Sequence, residues 1–251
     1  MTLRALDKEG NPKISYELSP SEYYQEWKCP LCSSKLTFIN CQKKIKHFRH
    51  EVICPYEMEH ESKEHRELKK YIYENLKSKY NVDYEYKIGN GIADVVIFLP
   101  KEVKIAIECQ VSSISYDEWI DRNRNYRHNR TFPIWILHLK NFLKQIDEDD
   151  IVEPYCRLKA IERAEMYNPW KLYYDPNYGG FLKRIAEAKP KINSYLGTIW
   201  DGDIRIDVGD ECKTIFSIID FEILTPIELI DEIIETPNLL KPRGNFIIQK
   251  F

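Results

Sequence analysis

No run of apolar residues in this chain approaches the ~20 that a membrane-crossing helix needs, although hydrophobic residues make up 43% of its 251 positions. No membrane partner is expected. A secretory leader is also lacking: Met1-Thr2-Leu3-Arg4-Ala5-Leu6-Asp7-Lys8 has neither an apolar stretch nor a small-residue cleavage site, so a cytoplasmic protein is expected. The cysteines do not form an even set. Seven of them without an export signal argue against a disulfide framework and for reduced thiols, some of them metal ligands. Internal repeats and low-complexity tracts are absent as well.

There is no strong net charge either. The 37 basic and 40 acidic residues leave −3, which does not mark a nucleic-acid binder by itself. The distribution is uneven. Residues 1–140 hold 23 Lys/Arg and 20 Asp/Glu, a net +3, whereas residues 141–251 hold 14 and 20, a net −6. A polyanion would bind the first part.

Texture divides the chain into three. Residues 1–58 are rich in Cys, Pro, Lys and Tyr with short apolar runs such as Leu36-Thr37-Phe38-Ile39, the pattern of small strands stapled by something other than a core. Residues 59–145 form an α/β unit. A helix is predicted over 61–79, with Ser62 as N-cap and Leu68, Ile72 and Leu76 as one apolar stripe. Strands follow at Val82–Ile88, Ile92–Leu99 and Val103–Val111, the first two joined by Gly89-Asn90-Gly91. A second helix fits Tyr116–Arg130, and Ile134–Leu137 reads as a buried strand. Residues 146–251 are a C-terminal α+β extension. It opens on an acidic patch (Asp147, Glu148, Asp149, Asp150, Glu153) and contains a hairpin of Ile192–Trp200 and Ile204–Val208. A strand region at Lys213–Leu224 and a helix opened by the capping pattern Thr225-Pro226-Ile227-Glu228 complete it.

Cys29-Pro30-Leu31-Cys32 is a short knuckle, followed by His47-Phe48-Arg49-His50 and Cys54. Tetrahedral zinc takes thiolate and imidazole, and one close pair plus a second pair from a neighbouring segment supplies four bonds. Cys29, Cys32, His50 and Cys54 are the expected ligands, with His47 or Cys41 as alternatives for one of the second pair. A surplus of ligands fits a structural rather than a catalytic ion. Lys43, Lys44, Lys46 and Arg49 surround the group and could touch phosphates. The competing reading is reduced thiols without metal.

Asp94 and Glu108 are acids within otherwise apolar strands. An unpaired carboxylate is costly to bury, and a divalent cation is among its best partners. On neighbouring strands they would present hard oxygen ligands to Mg²⁺ or Mn²⁺, with Gln110 projecting to the same side as Glu108. The preceding helix could add Glu64, with Glu61 as the alternative, and His65 lies one turn after Glu61. The competing reading is a structural ion pair with a nearby Lys or Arg.

Taken in order, several blocks resemble the CoiA-like competence nuclease family, a branch of the PD-(D/E)xK nuclease superfamily. They are Cys29-Pro30-Leu31-Cys32, His47-Phe48-Arg49-His50, Glu61-Ser62 with His65 and Lys69, Ala93-Asp94-Val95, Ile107-Glu108-Cys109-Gln110-Val111-Ser112, Ile114-Ser115, Arg122 with Tyr126, and Trp135-Ile136-Leu137. The resemblance covers about residues 27–140. It implies an α/β, restriction-endonuclease-like mixed sheet flanked by helices, preceded by a zinc-finger-like module. It further implies metal-dependent hydrolysis of DNA phosphodiester bonds. Asp94, Glu108 and Glu64 would hold the Mg²⁺ or Mn²⁺. Gln110, standing where the superfamily usually has lysine, would position water, and Ser112, Arg122 and Tyr126 would support the site or contact DNA. The rivals are an inactive nuclease-fold DNA-binding module and an interaction protein that docks a partner through its tail.

Overall fold

Short apolar runs broken by Pro, Gly and Ser give five small strands: β1 (Arg4–Leu6), β2 (Pro12–Ile14), β3 (Trp27–Lys28), β4 (Lys35–Ile39) and β5 (His47–His50). They lie in the order β2-β1-β3-β4-β5. Thr2 and Phe48 exchange backbone hydrogen bonds of 3.1 and 2.9 Å, so the chain entering β1 also pairs with β5 and the small sheet closes on itself. Inside it Trp27, Leu36 and Phe48 are buried, and the Trp27 and Phe38 rings lie 5.1 and 5.6 Å from that of Phe48. This module therefore has a core of its own, where the sequence suggests only stapled strands.

The computed structural model describes residues 2–41, 45–54, 61–139 and 223–235 with their side chains, together with Tyr174 and the backbone at 144–146, 155–157, 172–174, 182–191, 198–201, 204–207 and 215–222. The boundary expected after residue 58, Lys43, Lys44, the acidic patch at 147–153 and the stretch 192–197 of the expected hairpin lie outside the described residues.

Helix α1 (Lys63–Leu76) begins where Ser62 accepts the His65 N–H at 3.1 Å, and it buries Leu68, Ile72 and Leu76 completely. A hairpin follows of β6 (Val82–Ile88) and β7 (Gly91–Phe98). Its turn contains Gly89 at φ +55°, where a Cβ would stand 2.4 Å from Asn125 Oδ1. Then come β8 (Lys104–Gln110), α2 (Tyr116–His128) and β9 (Thr131–His138). Strand β9 runs parallel to β8, the expected result of a helical crossover. The α1 face of the sheet carries Val95, Ile97, Ile105, Ile107, Cys109, Ile134 and Ile136. The other face carries Ala93, Val96 and Ala106 beneath Tyr126 of α2.

The same sheet continues through the C-terminal part. Strands β10 (Lys144–Ile146), β11 (Tyr155–Arg157), β12 (Leu172–Tyr174), β13 (Leu182–Lys191) and β16 (Ile215–Leu224) extend it to nine strands, ordered β10-β11-β16-β13-β12-β9-β8-β7-β6. Among the described strands of this part, only β14 (Thr198–Asp201) and β15 (Ile204–Asp207) stand apart, as an antiparallel pair. The division expected after residue 145 thus falls inside one sheet, because β12 pairs in parallel with β9 across it. Helix α3 (Pro226–Glu235) starts at the predicted capping box, with Glu228 N–H on Thr225 Oγ1 at 3.2 Å and Thr225 N–H on Glu228 Oε2 at 2.7 Å. Its Leu229, Ile230 and Ile233 join the core formed with α1, and Lys79 meets Asp231 at 2.5 Å. Among the described residues no helix is long and apolar enough to cross a membrane.

If α3 completes the core beneath α1, truncating its fully buried Ile230 to Ala should cost about 2–5 kcal/mol. Urea unfolding should show this as a lowered midpoint. A midpoint equal to that of the wild type would mean that the helix is a dispensable attachment.

Candidate active site and metal-capable groups

One stripe of α1 and the residue just before its cap carry the polar cluster. Glu61, His65 and Lys69 recur at spacing four and so lie above one another. Opposite them β7 supplies Asp94 and β6 supplies Glu85. These two positions break the strand pattern. Pairing of β6 with β7 runs Tyr84↔Val95 and then Tyr86↔Ala93, skipping Glu85 and Asp94, and Glu85 has φ +50°. Ala93 and Val96, three apart, face the same side. The register is the same on both sides of Glu85 and Asp94, so the ladder is interrupted at one position in both strands, and there Asp94 turns toward α1 instead of alternating with Val95.

His65 sits between two carboxylates, with Nε2 3.0 Å from Asp94 Oδ2 and Nδ1 3.3 Å from Glu61 Oε1. The ligand atoms of Glu61, His65 and Asp94 all lie within 4.8 Å of one another, a set that could hold a metal ion. The Cys109 N–H fixes Asp94 Oδ2 at 2.8 Å. Lys69, 3% exposed, directs Nζ at Glu61, at Glu85 (3.0 Å) and at Asp94 (3.6 Å).

Glu108 and Gln110 project from the opposite face of β8, as alternation requires, while Ile107 and Cys109 point to α1. The Glu108 carboxylate, 1% exposed, accepts from the Arg122 guanidinium and the Tyr126 hydroxyl. Arg122 in turn lies over the Trp135 ring at 5.0 Å. Gln110 donates its side-chain amide to the Ser112 carbonyl at 2.7 Å, and Ser112 itself is exposed. Asp94 and Glu108 sit on adjacent strands, yet the metal-capable group includes only the first. Glu64 is outside that group too. It is rotated about 100° around the helix from His65, so Glu61, the alternative, takes the position. Tyr126 is 1% exposed, which leaves no ring face for a base. Its hydroxyl holds Glu108 instead.

A family model for the competence protein CoiA nuclease-like domain matches residues 61–190. The chain belongs to the CoiA nuclease-like family. Searches of curated proteins and of solved structures returned no match. The CoiA match opens at Glu61, so it takes in the whole acid cluster. It also runs past residue 145 to the end of β13, in keeping with the continuous sheet.

Charge in this CoiA-family site is strongly polarised. Burial alone would raise the Asp94 carboxyl, but the charges of His65 and Lys69 and the bonds from His65 and Cys109 outweigh it and hold it well below the usual range. Burial also opposes the Lys69 ammonium, and the charge of Glu85, with those of Asp94 and Glu61, keeps it protonated. Glu61 is raised, by burial first and then by the charge of Glu85, against the pull of Lys69 and His65. Glu108 is pushed up to about 7, because burial and the Asp94 charge exceed what Arg122 and Tyr126 give back.

The second group lies in the N-terminal module of the CoiA-family chain, ahead of the family match. Cys29, Cys32, His50 and Cys54 bring their ligand atoms within 4.8 Å of one another, the four residues that the sequence singles out. A tight turn makes the knuckle: the Leu31 N–H reaches Cys29 Sγ at 3.4 Å, and Ser33, at φ +60°, bonds back to the Cys29 carbonyl. Cys32 Sγ lies 3.6 Å from His50 Nε2. Burial pushes the Cys29 thiol up to about 12, while bonds from Ser34 outweigh burial at Cys32 and bring it to about 7. His47, three residues before His50 and so on the other face of β5, turns Nδ1 to the Ile45 carbonyl at 2.9 Å. Cys41 is exposed and outside the group.

The sequence reading gives Lys69 and Glu85 no role in the site. The 61/65/69 spacing was a usable signal for the first, whereas nothing local marks Glu85, which reads as an ordinary strand residue.

His65 gives a pH test in protein without added Mg²⁺ or Mn²⁺. Burial opposes its charge, but Asp94 outweighs it and raises the imidazole above its ordinary 6.5. That stabilisation is complete below the unfolded value and is lost as pH rises through the higher folded one. Asp94, depressed from 3.8, contributes above that value and loses its share only as pH falls. The thermal-midpoint gap between wild type and His65→Asn should therefore be widest below the ordinary imidazole value of 6.5 and narrow as pH rises through the higher folded value. A constant gap would remove the ion pair.

Proposed function

We propose that this chain is a metal-dependent deoxyribonuclease that hydrolyses phosphodiester bonds. The observation that carries the reading is the convergence of Glu61, His65 and Asp94 at the start of the CoiA nuclease-like match. Two carboxylates and an imidazole, backed by a buried cation, suit a divalent ion in chemistry and in reach. Such an ion would polarise a scissile phosphate and lower the pKa of an attacking water.

The remaining work falls to the chain. The Cys109 N–H and Lys69 keep the acid oxygens of Asp94 and Glu61 in place. Glu108, with a carboxyl pushed up to about 7, can take up or release a proton near neutral pH. Gln110 offers an amide that orients water or phosphate but lacks a lysine's charge. Arg122, its side chain 25% exposed, has donors beyond those facing Glu108, and with the exposed Ser112 it forms the phosphate contact of the DNA. An imidazole ligand favours Mn²⁺ over the harder, oxygen-seeking Mg²⁺. In the N-terminal module Cys29, Cys32, His50 and Cys54 would hold zinc in a closed, four-ligand structural site.

Cleavage of linear and circular, single- and double-stranded DNA tests the reading. Wild-type protein should cut with half-saturation at lower Mn²⁺ than Mg²⁺. Asp94→Ala and Glu61→Gln should lose about 100-fold or more, the scale of removing a group that stabilises developing charge, and Glu64→Gln should retain activity. Salt-sensitive DNA binding without cleavage under either metal would favour the inactive DNA-binding module, to which Gln110 in place of lysine also points.

Metal analysis gives a separate test. The protein should carry one zinc per four-ligand group, lost together with N-terminal protease resistance in Cys32→Ser. Zinc-free protein with an intact N-terminal module would refute the structural ion.

A further inference from the structure

Glu85 has no part in the chemistry above, yet it is tied to Lys69, which holds the acid oxygens there. The Lys69 ammonium has three donors and three carboxylates around it, those of Glu61, Glu85 and Asp94. Glu85 is held from the other side. Its Oε2 accepts from the Thr2 hydroxyl and, at 3.3 Å, from the Leu3 N–H, while Oε1 accepts from Lys69 at 3.0 Å. Thr2 is pinned by its paired backbone bonds to Phe48, two residues before His50 of the Cys/His group. Leu3, 1% exposed, packs in the core with Leu68 of α1, and Arg4 reaches Asp83 at 2.6 Å.

We infer that the segment leading into the first strand of the N-terminal module positions the metal site: Thr2 and Leu3 hold Glu85, Glu85 holds Lys69, and Lys69 sets the spacing of Glu61 and Asp94. Glu85 and Lys69 are then positioning residues for a bound ion, and the module that carries the Cys/His group is a structural part of the nuclease site rather than a separate appendage. The inference rests on the metal-site reading proposed above. Its physical basis is that three carboxylates converging in a buried corner repel one another unless a cation is fixed among them. Each link in the relay is a hydrogen bond to a charged group, the kind that orients metal ligands from outside the coordination sphere.

Thr2→Val keeps the shape and the backbone pairing of Thr2 and removes only the hydroxyl. No charge changes, so any effect on the ion passes through position. Mn²⁺ titrated into the full-length, zinc-replete chain and followed by electron paramagnetic resonance should bind about 10-fold or more weakly in Glu85→Gln. Binding should be measurably weaker in Thr2→Val and restored in Thr2→Ser, with zinc content unchanged across the three and each variant folded at the titration temperature. Wild-type Mn²⁺ affinity in both Thr2→Val and Glu85→Gln would overturn the relay while leaving the metal site standing. A wild-type chain that takes up no Mn²⁺ would overturn the metal site and the relay together.

Discussion

The buried ammonium of Lys69 is the interaction on which the acid-rich corner of this protein depends. Three carboxylates share it, and burial of like charges at that density is unfavourable without a fixed cation. One ammonium does not neutralise three acids. A proton on His65 offsets half of the surplus negative charge and, in the proposed function, a divalent ion would offset all of it. The cluster is thus balanced between two occupants, and the residues that bind the proton are those that would bind the metal.

The two acids that stand out in the sequence end on different faces of one sheet. Asp94 turns to α1 at the unpaired position opposite Glu85, and Glu108 stays on the α2 side with Arg122 and Tyr126. A non-glycine residue held at positive φ costs of order 1–3 kcal/mol. The surroundings of Glu85 over-determine it, with donors from Thr2, Leu3 and Lys69. A strand with regular alternation would place Asp94 and Glu108 side by side. The interruption of the ladder at Glu85 and Asp94 instead gives one acid a helix-borne ligand set and gives the other a partly neutralised pocket in which burial pushes its carboxyl up to about 7.

Local signals in the sequence carried far. Ser62 and Thr225 cap helices where expected, the hairpin turns at Gly89-Asn90, and Cys29, Cys32, His50 and Cys54 converge. Each of these depends on neighbours within a few residues or on ligand spacing that few other chemistries use. What the sequence did not disclose is non-local. Selecting Glu61 over Glu64 needs the exact rotation of α1 against β7, a matter of one residue in helical phase. The burial of Tyr126 follows from how α2 lies on the sheet, and the role of Glu85 from an interruption of the β6–β7 ladder that no residue type announces. The passage of the sheet across residue 145 rests on parallel pairing between β9 and β12, which leaves no periodic trace in either strand.

Strand β16 lies between β11 and β13, and α3 follows it immediately to close the core beneath α1. The last described elements of the chain therefore occupy interior positions of a structure whose acid cluster is encoded more than a hundred residues earlier. During synthesis on the ribosome the helix bearing His65 and Lys69 emerges long before the segment that covers its apolar stripe. Until that segment arrives, the sheet has an open seam and α1 is only half supported. Maturation of the site is in this way coupled to synthesis of the chain through α3, and a product terminated before it would carry the acids without the scaffold that aligns them.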